Sequence, residues 1–309
     1  MKRWFLFFFC VLFCFQSRAQ NDTNNLAGTS RKYIKRRILV GGASAAFLAG
    51  SLVLFSKTSD NKYHKNFSVI DDSRAWMQVD KMEHSFIAYT ANRFLYSSWR
   101  WAGLSKNGAL ALSSASTFAY LGTKEYLDGH KINWGWSWSD MAANALGISL
   151  FSFQEIVWGQ QKIQYKFSTF PQHTESSLET RSNRLFGESL PEQLLKNHNL
   201  QTYWLSFNLN SLTNVSSIPS WLNIAVGYGA ANMYGTFENV EYTNAKVIFD
   251  RSDLRRNRQW YISPDIDLTR IRIKSKLLKT LLFAFNSIKF PLPGLEYSDH
   301  KLRAHLLVF

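Results

Sequence analysis

Apolar positions along this chain follow two different periods. From Ile38 to about Lys166 they recur every three or four residues, the spacing of helices, whereas from Tyr203 onward they tend to alternate, the spacing of strands. The first helical stretch is Ile38–Ser56, almost uniformly apolar, with Gly42, Ala46 and Gly50 on one face and the basic cluster Arg31, Lys32, Lys35, Arg36 and Arg37 before it. Its length suits either a membrane span or a helix packed at the outer leaflet. Residues 76–103 predict a second helix, and Gly108–Tyr120 a third that runs into Glu125. A loop carrying Trp134, Trp136 and Trp138 then leads to a fourth over Asp140–Gln161.

Residues 168–200 read as polar and loop-like. Beyond them, Tyr203–Leu209, Ile224–Gly229, Trp260–Leu268 and Arg303–Phe309 predict strands. Gly227 and Gly229 on one strand face imply a closely approaching neighbour or a bend. Between the last two strands, Leu277, Leu278, Leu281, Leu282, Phe285 and Ile288 share a helix face, with Lys274, Lys276, Lys279 and Lys289 elsewhere. Such a basic amphipathic helix either packs on the strands or lies on a membrane surface. A closed membrane barrel is not expected, because too few alternating segments are visible for a minimum of about eight strands.

Composition narrows the class. Eleven Trp, thirteen Tyr and twenty-four Phe in 309 residues exclude disorder for most of the chain and suit a membrane-contacting protein with interfacial aromatics. A net charge of +14 favours anionic partners, phospholipid head groups foremost, with an envelope protein as a second partner class. Nucleic acid is not expected, since no recognition motif accompanies the charge. Lys2 and Arg3, the apolar run Trp4–Phe15 and Ser17-Arg18-Ala19 read as a signal peptide cleaved after Ala19, leaving Gln20–Ser30 as a polar leader. Both cysteines, Cys10 and Cys14, fall within that signal, and bulky Phe13 makes Cys14 a poor lipoprotein cysteine.

Three polar groupings interrupt the apolar helices: Asp80-Lys81-x-x-His84, Glu125-x-x-Asp128-Gly129, and Ser139-Asp140-x-x-x-Asn144-x-x-Gly147. Asp80 and His84 are four apart and share a helix face, as do Asp140 and Asn144, and Gly129 is placed to end its helix. Charges among apolar helices are expected to gather, because each is costly to bury alone. On a structural reading Asp80 and Asp140 are N-caps and the rest a satisfied network. On a chemical reading His84 is a general base, Glu125 and Asp140 are acids or metal ligands, and Lys81 neutralises a phosphate. No metal-ligand motif of tight spacing, nucleophile elbow or cofactor motif appears, so no metal or cofactor is assigned.

In their order and distances these fragments resemble the YfiM-like envelope proteins, a domain of unknown function, over about residues 70–165. The carrying residues are Asp80, Lys81, His84, Lys124, Glu125, Asp128, Gly129, Ser137 or Ser139, Asp140, Asn144 and Gly147. Glu83 departs from the small residue expected beside His84. A looser similarity extends to VanZ-like membrane proteins and implies a membrane-embedded helical bundle acting in the envelope.

The expected organisation is α+β. It comprises a signal peptide (1–19), a basic leader (20–37), a membrane-associated helical domain (38–166) and a smaller strand-rich region with one basic amphipathic helix (167–309). The expected role is structural or binding, at the outer membrane or the periplasmic side. The alternative is an enzyme acting on a lipid-linked or phosphorylated envelope substrate.

Overall fold

Helix-spaced and strand-spaced runs fold as expected into an α+β protein, N-terminal helices followed by an antiparallel sheet. The computed structural model describes residues 31–57, 66–132, 134–172 and 174–309, with the side chains of 54–57 set aside. The expected signal peptide, its two cysteines and residues 20–30 of the leader lie outside the described residues.

In chain order the elements are α1 (Arg31–Lys57), β1 (Val69–Ile70), α2 (Val79–Trp101), α3 (Lys106–Asp128), β2 (Trp136–Ser137), α4 (Trp138–Trp158) and β3 (Ile163–Thr169). Then come α5 (Ser176–Phe186), α6 (Leu190–Lys196), β4 (Gln201–Asn208), α7 (Leu209–Thr213), β5 (Leu222–Ala231), β6 (Val240–Thr243) and β7 (Lys246–Asp250). The chain finishes with β8 (Asn257–Ile266), α8 (Lys276–Phe285), β9 (Leu292–Ser298) and β10 (Lys301–Val308). Residues 168–200 are therefore not a loop: they hold the end of β3 and the helices α5 and α6. Polar Ser, Glu, Arg and Asn positions on α5 masked the amphipathic pattern that buries Leu178 and Phe186.

The chain forms two units. The helical unit holds the described residues of Met1–Asp72 together with Ile87–Gln161 and Arg272–Ala284. Val40 packs with Trp101 and Ala102, Ala88 with Leu121 and Ile148, and Phe94 with Ala284. The basic cluster before the first apolar run is part of α1 itself. Arg36 and Arg37 cap the end of α2, donating to the carbonyls of Trp101 at 3.0 Å and Gly103 at 3.0 Å. Gly129 does end α3, its N–H reaching Glu125 O, but in right-handed backbone. A Cβ there would lie 2.3 Å from the Phe67 ring, so space rather than conformation demands glycine.

These helices bury polar side chains beside their apolar core and turn large apolar ones outward. On α3 the residues turned inward include Ser113, Thr117, Glu125 and Asp128, while Leu112, Phe118 and Tyr126 face out. On α4 Asp140, Asn144, Gln154 and Glu155 are buried, while Leu146 (67% exposed), Phe153 (58%) and Ile156 (65%) are not. The leucine face of α8 is likewise outward: Thr280 and Ala284 are buried, whereas Leu277, Leu278 and Phe285 are exposed. Leu281 and Leu282 on the same face are half-buried. Among the described residues, α1 is the one helix long and apolar enough to cross a membrane, over Arg31–Val53.

The second unit holds Ser73–Phe86, Lys162–Ile271 and Phe285–Phe309. Its six-stranded antiparallel sheet runs β10-β9-β8-β5-β4-β3. The outer edge of β3 is joined to the chain leading into β9: Phe167 N donates to Ser287 O and Lys289 N to Phe167 O, both at 2.9 Å. Phe170 beyond β3 stacks on Phe309 beyond β10, ring centroids 4.1 Å apart, so the sheet curls its two edges together. Cross-strand register aligns Leu205, Val226, Ile262 and Leu295 in one row. All four are exposed. The opposite face is polar and buried: Lys166 Nζ lies 2.6 Å from Asp265 Oδ2, which accepts from Ser206 Oγ at 2.6 Å. The expected close neighbour of the glycine-bearing strand is Trp204, whose ring would be 2.6 Å from a Cβ on Gly227.

Candidate functional site

The predicted polar residues fall in both units, and in each they form a group. In the helical unit the group is built by the end of α3 and the start of α4. Lys124, Glu125 and Asp128 lie on the last turns of α3, where i, i+4 spacing stacks Lys124 against Asp128. Lys124 Nζ is 2.8 Å from Glu125 Oε1 and 3.0 Å from Asp128 Oδ2. Lys131, three residues on, closes the other oxygen of Asp128 at 2.6 Å. Glu125, Asp128 and Lys131 are each about 1% exposed. Burial depresses the Lys131 ammonium below the ordinary lysine value, against the opposing pull of Asp128.

Asp140 is not the N-cap of α4. That position belongs to Ser137, whose Oγ accepts from Asp140 N at 3.0 Å, and Asp140 sits within the first turn, where a carboxylate is favoured by the helix N-terminus. Ser137 and Ser139 both donate to Asp72 Oδ1, at 2.5 and 2.6 Å. Asp72 was not singled out in the sequence, since nothing in its spacing ties it to α4. The two-residue pairing of β1 with β2 brings it there. Deeper in the same bundle, Asn92 Nδ2 donates to Ser114 Oγ at 3.2 Å and Ser152 Oγ at 3.1 Å, tying α2, α3 and α4 together.

The second group lies in the sheet unit, on the first two turns of α2. Lys81 Nζ is 2.9 Å from Asp80 Oδ2, and His84 Nε2 is 3.9 Å from Asp80 Oδ1 across the helix turn. Glu83, beside His84 on α2, lies 3.7 Å from His198 Nδ1. His198 also meets Gln201 Oε1 at 3.1 Å and packs on the Trp76 ring, 5.1 Å between centroids. Burial opposes ionisation of Asp80, but His84, Lys81 and His198 outweigh it and hold the carboxyl well below the usual range. Burial raises the Tyr165 and Tyr203 hydroxyls, and Glu83 adds to the effect on Tyr203. His198 has no sequence signal, because only the fold of β4 and the helices before it returns it to α2.

Immediately before this group the backbone is strained. Trp76, Met77 and Gln78 have φ of 48°, 50° and 66°, three successive non-glycine residues in left-handed conformation. The turn is held from outside: Trp76 N donates to Thr236 O at 2.8 Å, Tyr228 Oη donates to Met77 O, and Arg258 donates to Gln78 Oε1 at 2.8 Å.

Asp80, Glu83 and His198 bring one ligand atom each within 4.8 Å of one another, a donor set of two carboxylates and an imidazole that suits a divalent transition metal. Ligands about 2.1 Å from an ion lie roughly 3–3.5 Å apart, so this group would have to contract around one. Lys81 already supplies Asp80 with a cation. Arranged so, the group is a charge-neutralised network first and a metal site only after rearrangement.

Residues 69–155 match the model of a family described as predicted periplasmic lipoprotein (DUF2279), which supports an envelope domain of unknown function over that segment. The match covers α2, α3 and most of α4 with all three polar groupings, and it does not name the YfiM-like or VanZ-like families. No curated protein and no solved structure gave a significant match.

Proposed function

We propose that this chain is a membrane-embedded protein of the cell envelope with a binding or structural role, its helical unit lying in lipid. The observation that carries the reading is the burial of polar side chains on α3, α4 and α8 with large apolar ones turned outward. Water rewards the opposite arrangement, in which polar residues face out, whereas a helix surrounded by hydrocarbon must bury its polar groups against partner helices. Among the described residues, α1 is the helix long and apolar enough to cross a bilayer, over Arg31–Val53. The Asn92, Ser114 and Ser152 contacts are of the kind that hold helices together in lipid. The description of the matched family supports an envelope location. Export by the signal peptide, cleavage near Ala19 and residence at the outer membrane or periplasmic face belong to the proposal and rest on the sequence Lys2-Arg3, Trp4–Phe15 and Ser17-Arg18-Ala19. Anionic lipids, and secondarily an envelope protein, are its partners.

Membrane fractionation tests this. The protein should stay with membranes through alkaline carbonate and float with vesicles, and Leu146→Lys should reduce insertion. Recovery of the native protein in the soluble fraction without detergent would overturn it.

A second reading, an enzyme acting on a lipid-linked or phosphorylated envelope substrate with His84 as base, draws on one observation: the left-handed turn at 76–78 stores strain beside Asp80, Glu83, His84 and His198. Glu125 and Asp140 remain its further candidates, as acids or metal ligands. The test is complementation of a deletion strain by His84→Gln at normal protein level. Full complementation removes the reading.

A further inference from the structure

The sheet unit carries a second feature that neither the polar motifs nor the membrane reading of the helices accounts for. Along β8 the residues on the outward face are Arg258, Trp260, Ile262 and Pro264, and all four are exposed. Successive members lie about 7 Å apart along the strand, so charge gives way to an aromatic and then to aliphatic surface over about 14 Å. The neighbouring strands continue the aromatic and aliphatic rows in register. Trp260 lies beside Tyr228 and Tyr297, and Ile262 beside Val226 and Leu295.

At the charged end a cleft of about 280 Å³ opens, its lining including Arg255, Arg256, Arg258 and His300, the carboxylate of Asp299, and Trp260 and Tyr297. Its cations are incompletely satisfied. Arg255 pairs with Asp299 at 3.1 Å, and Arg258 donates to Gln78. Arg256 spends one nitrogen on Thr236 O, while its Nε and Nη1 are buried without a hydrogen-bond partner. Burial and the adjacent Arg258 both depress the Arg256 guanidinium, the effect that a bound anion relieves. Guanidinium groups in such a cluster match phosphate oxygens.

We infer that the sheet unit seats an anionic phospholipid. Its phosphate would lie among Arg255, Arg256, Arg258 and His300, its ester region against Trp260 and Tyr297, and an acyl chain along Ile262, Leu295 and Val226. The ordering of cation, aromatic and aliphatic along one face matches the head group, interface and hydrocarbon of a lipid, and a soluble phosphate metabolite has no use for the apolar rows. The inference takes from the proposed function only that the protein lies at a bilayer.

Mixed detergent micelles separate the two, because a protein that does not insert into bilayers is still presented with lipid there. Trp260 emission is taken as the difference between the parent and Trp260→Phe. Phosphatidylglycerol brominated on its acyl chain should quench this emission at roughly tenfold lower mole fraction than brominated phosphatidylcholine. The triple variant Arg255→Gln/Arg256→Gln/Arg258→Gln should lose that preference, with Trp260 intact and the native far-ultraviolet spectrum retained. The single variant Arg256→Gln, which leaves the exposed arginines in place, should lose part of it. Equal quenching by the two lipids, no quenching by either, or an unchanged preference in the triple variant would overturn the assignment. So would loss of the preference on adding millimolar inorganic phosphate at constant ionic strength, since the site would then belong to a soluble anion. Failure of vesicle flotation alongside selective quenching would instead count against the helical unit's membrane reading and leave this site standing.

Discussion

Removing the Asp128 carboxylate should be among the most damaging single changes in the helical unit. Asp128 holds Lys131 at 2.6 Å on one oxygen and Lys124 at 3.0 Å on the other. In Asp128→Ala, Lys124 keeps Glu125 at 2.8 Å, but Lys131, about 1% exposed, loses the carboxylate that meets it at 2.6 Å. Breaking a buried pair from one side costs about 3–5 kcal/mol. An independent bound comes from the alternative open to the lysine, which is to lose its proton. From an ordinary value near 10.4, that costs about 4–5 kcal/mol at pH 7, so the penalty saturates there. The two routes agree on a loss of about 3–5 kcal/mol. The assay is urea unfolding in detergent micelles, followed by tryptophan emission, for Asp128→Ala, Lys131→Met and the double variant. Lys131→Met alone should cost less, because Asp128 retains Lys124, and the double variant should recover at least about 2 kcal/mol relative to the sum of the singles. The deficit of Asp128→Ala should also shrink as pH rises toward 10, where neutral Lys131 becomes accessible. An Asp128→Ala protein within about 0.5 kcal/mol of the parent would refute the claim that this pair is buried and coupled.

Other outcomes follow from the same reasoning. Lys289, whose Nζ meets Ser263 Oγ at 3.2 Å in the polar side of the sheet, is pushed by burial down to about 8. The unfolded chain then binds more protons than the folded one between about pH 8 and 10.4, so this group makes stability rise with pH across that window, and Lys289→Met should abolish the rise. Asp80 has the opposite sign in acid: its lowered value contributes stability that is present above about pH 4 and is lost as pH falls toward the folded value, so Asp80→Asn should flatten the acid limb of a pH–stability curve. Asp265→Ala should leave Lys166 without its 2.6 Å partner and destabilise the sheet by about 3–5 kcal/mol in the same urea assay, whereas an exposed-face change such as Leu306→Ser should stay within about 0.5 kcal/mol.

Legibility differed sharply between elements. Period alone marked α2, α3, α4, β4, β5, β8 and β10, because each has a regular apolar spacing over several turns or pleats, and their existence depends on local repeat. It missed β3, whose alternating residues Gln164, Lys166 and Ser168 look like a solvent face but are buried against Asp267, Asp265 and Trp204 in turn. It missed β9, where Pro291, Pro293 and Gly294 break the alternation although Leu295 and Tyr297 continue the rows of β8. The polar residues themselves were visible as charges at helix spacing. Their partners were not: Lys131 and Asp72 are joined to the α3–α4 group, and Glu83 and His198 to Asp80, through contacts that depend on where the backbone turns.

The sequence by itself determined the α+β class, the order of helices before sheet, the basic charge and the identity of the central polar residues. These follow from composition and from repeats of two or about four residues, which are local properties. Only the tertiary structure decided which way each amphipathic surface faces. A helix with polar residues on one side and leucines on the other has the same period whether its polar side meets water or a neighbouring helix, and the choice is made by the partners that can satisfy those polar groups. In α4 the apolar residues Leu146, Phe153 and Ile156 are outward while Glu155 and Asn144 are inward, and on β8 Ile262 is outward while Asp265 is buried with Lys166. That arrangement, which carries the functional reading, is a property of long-range pairing.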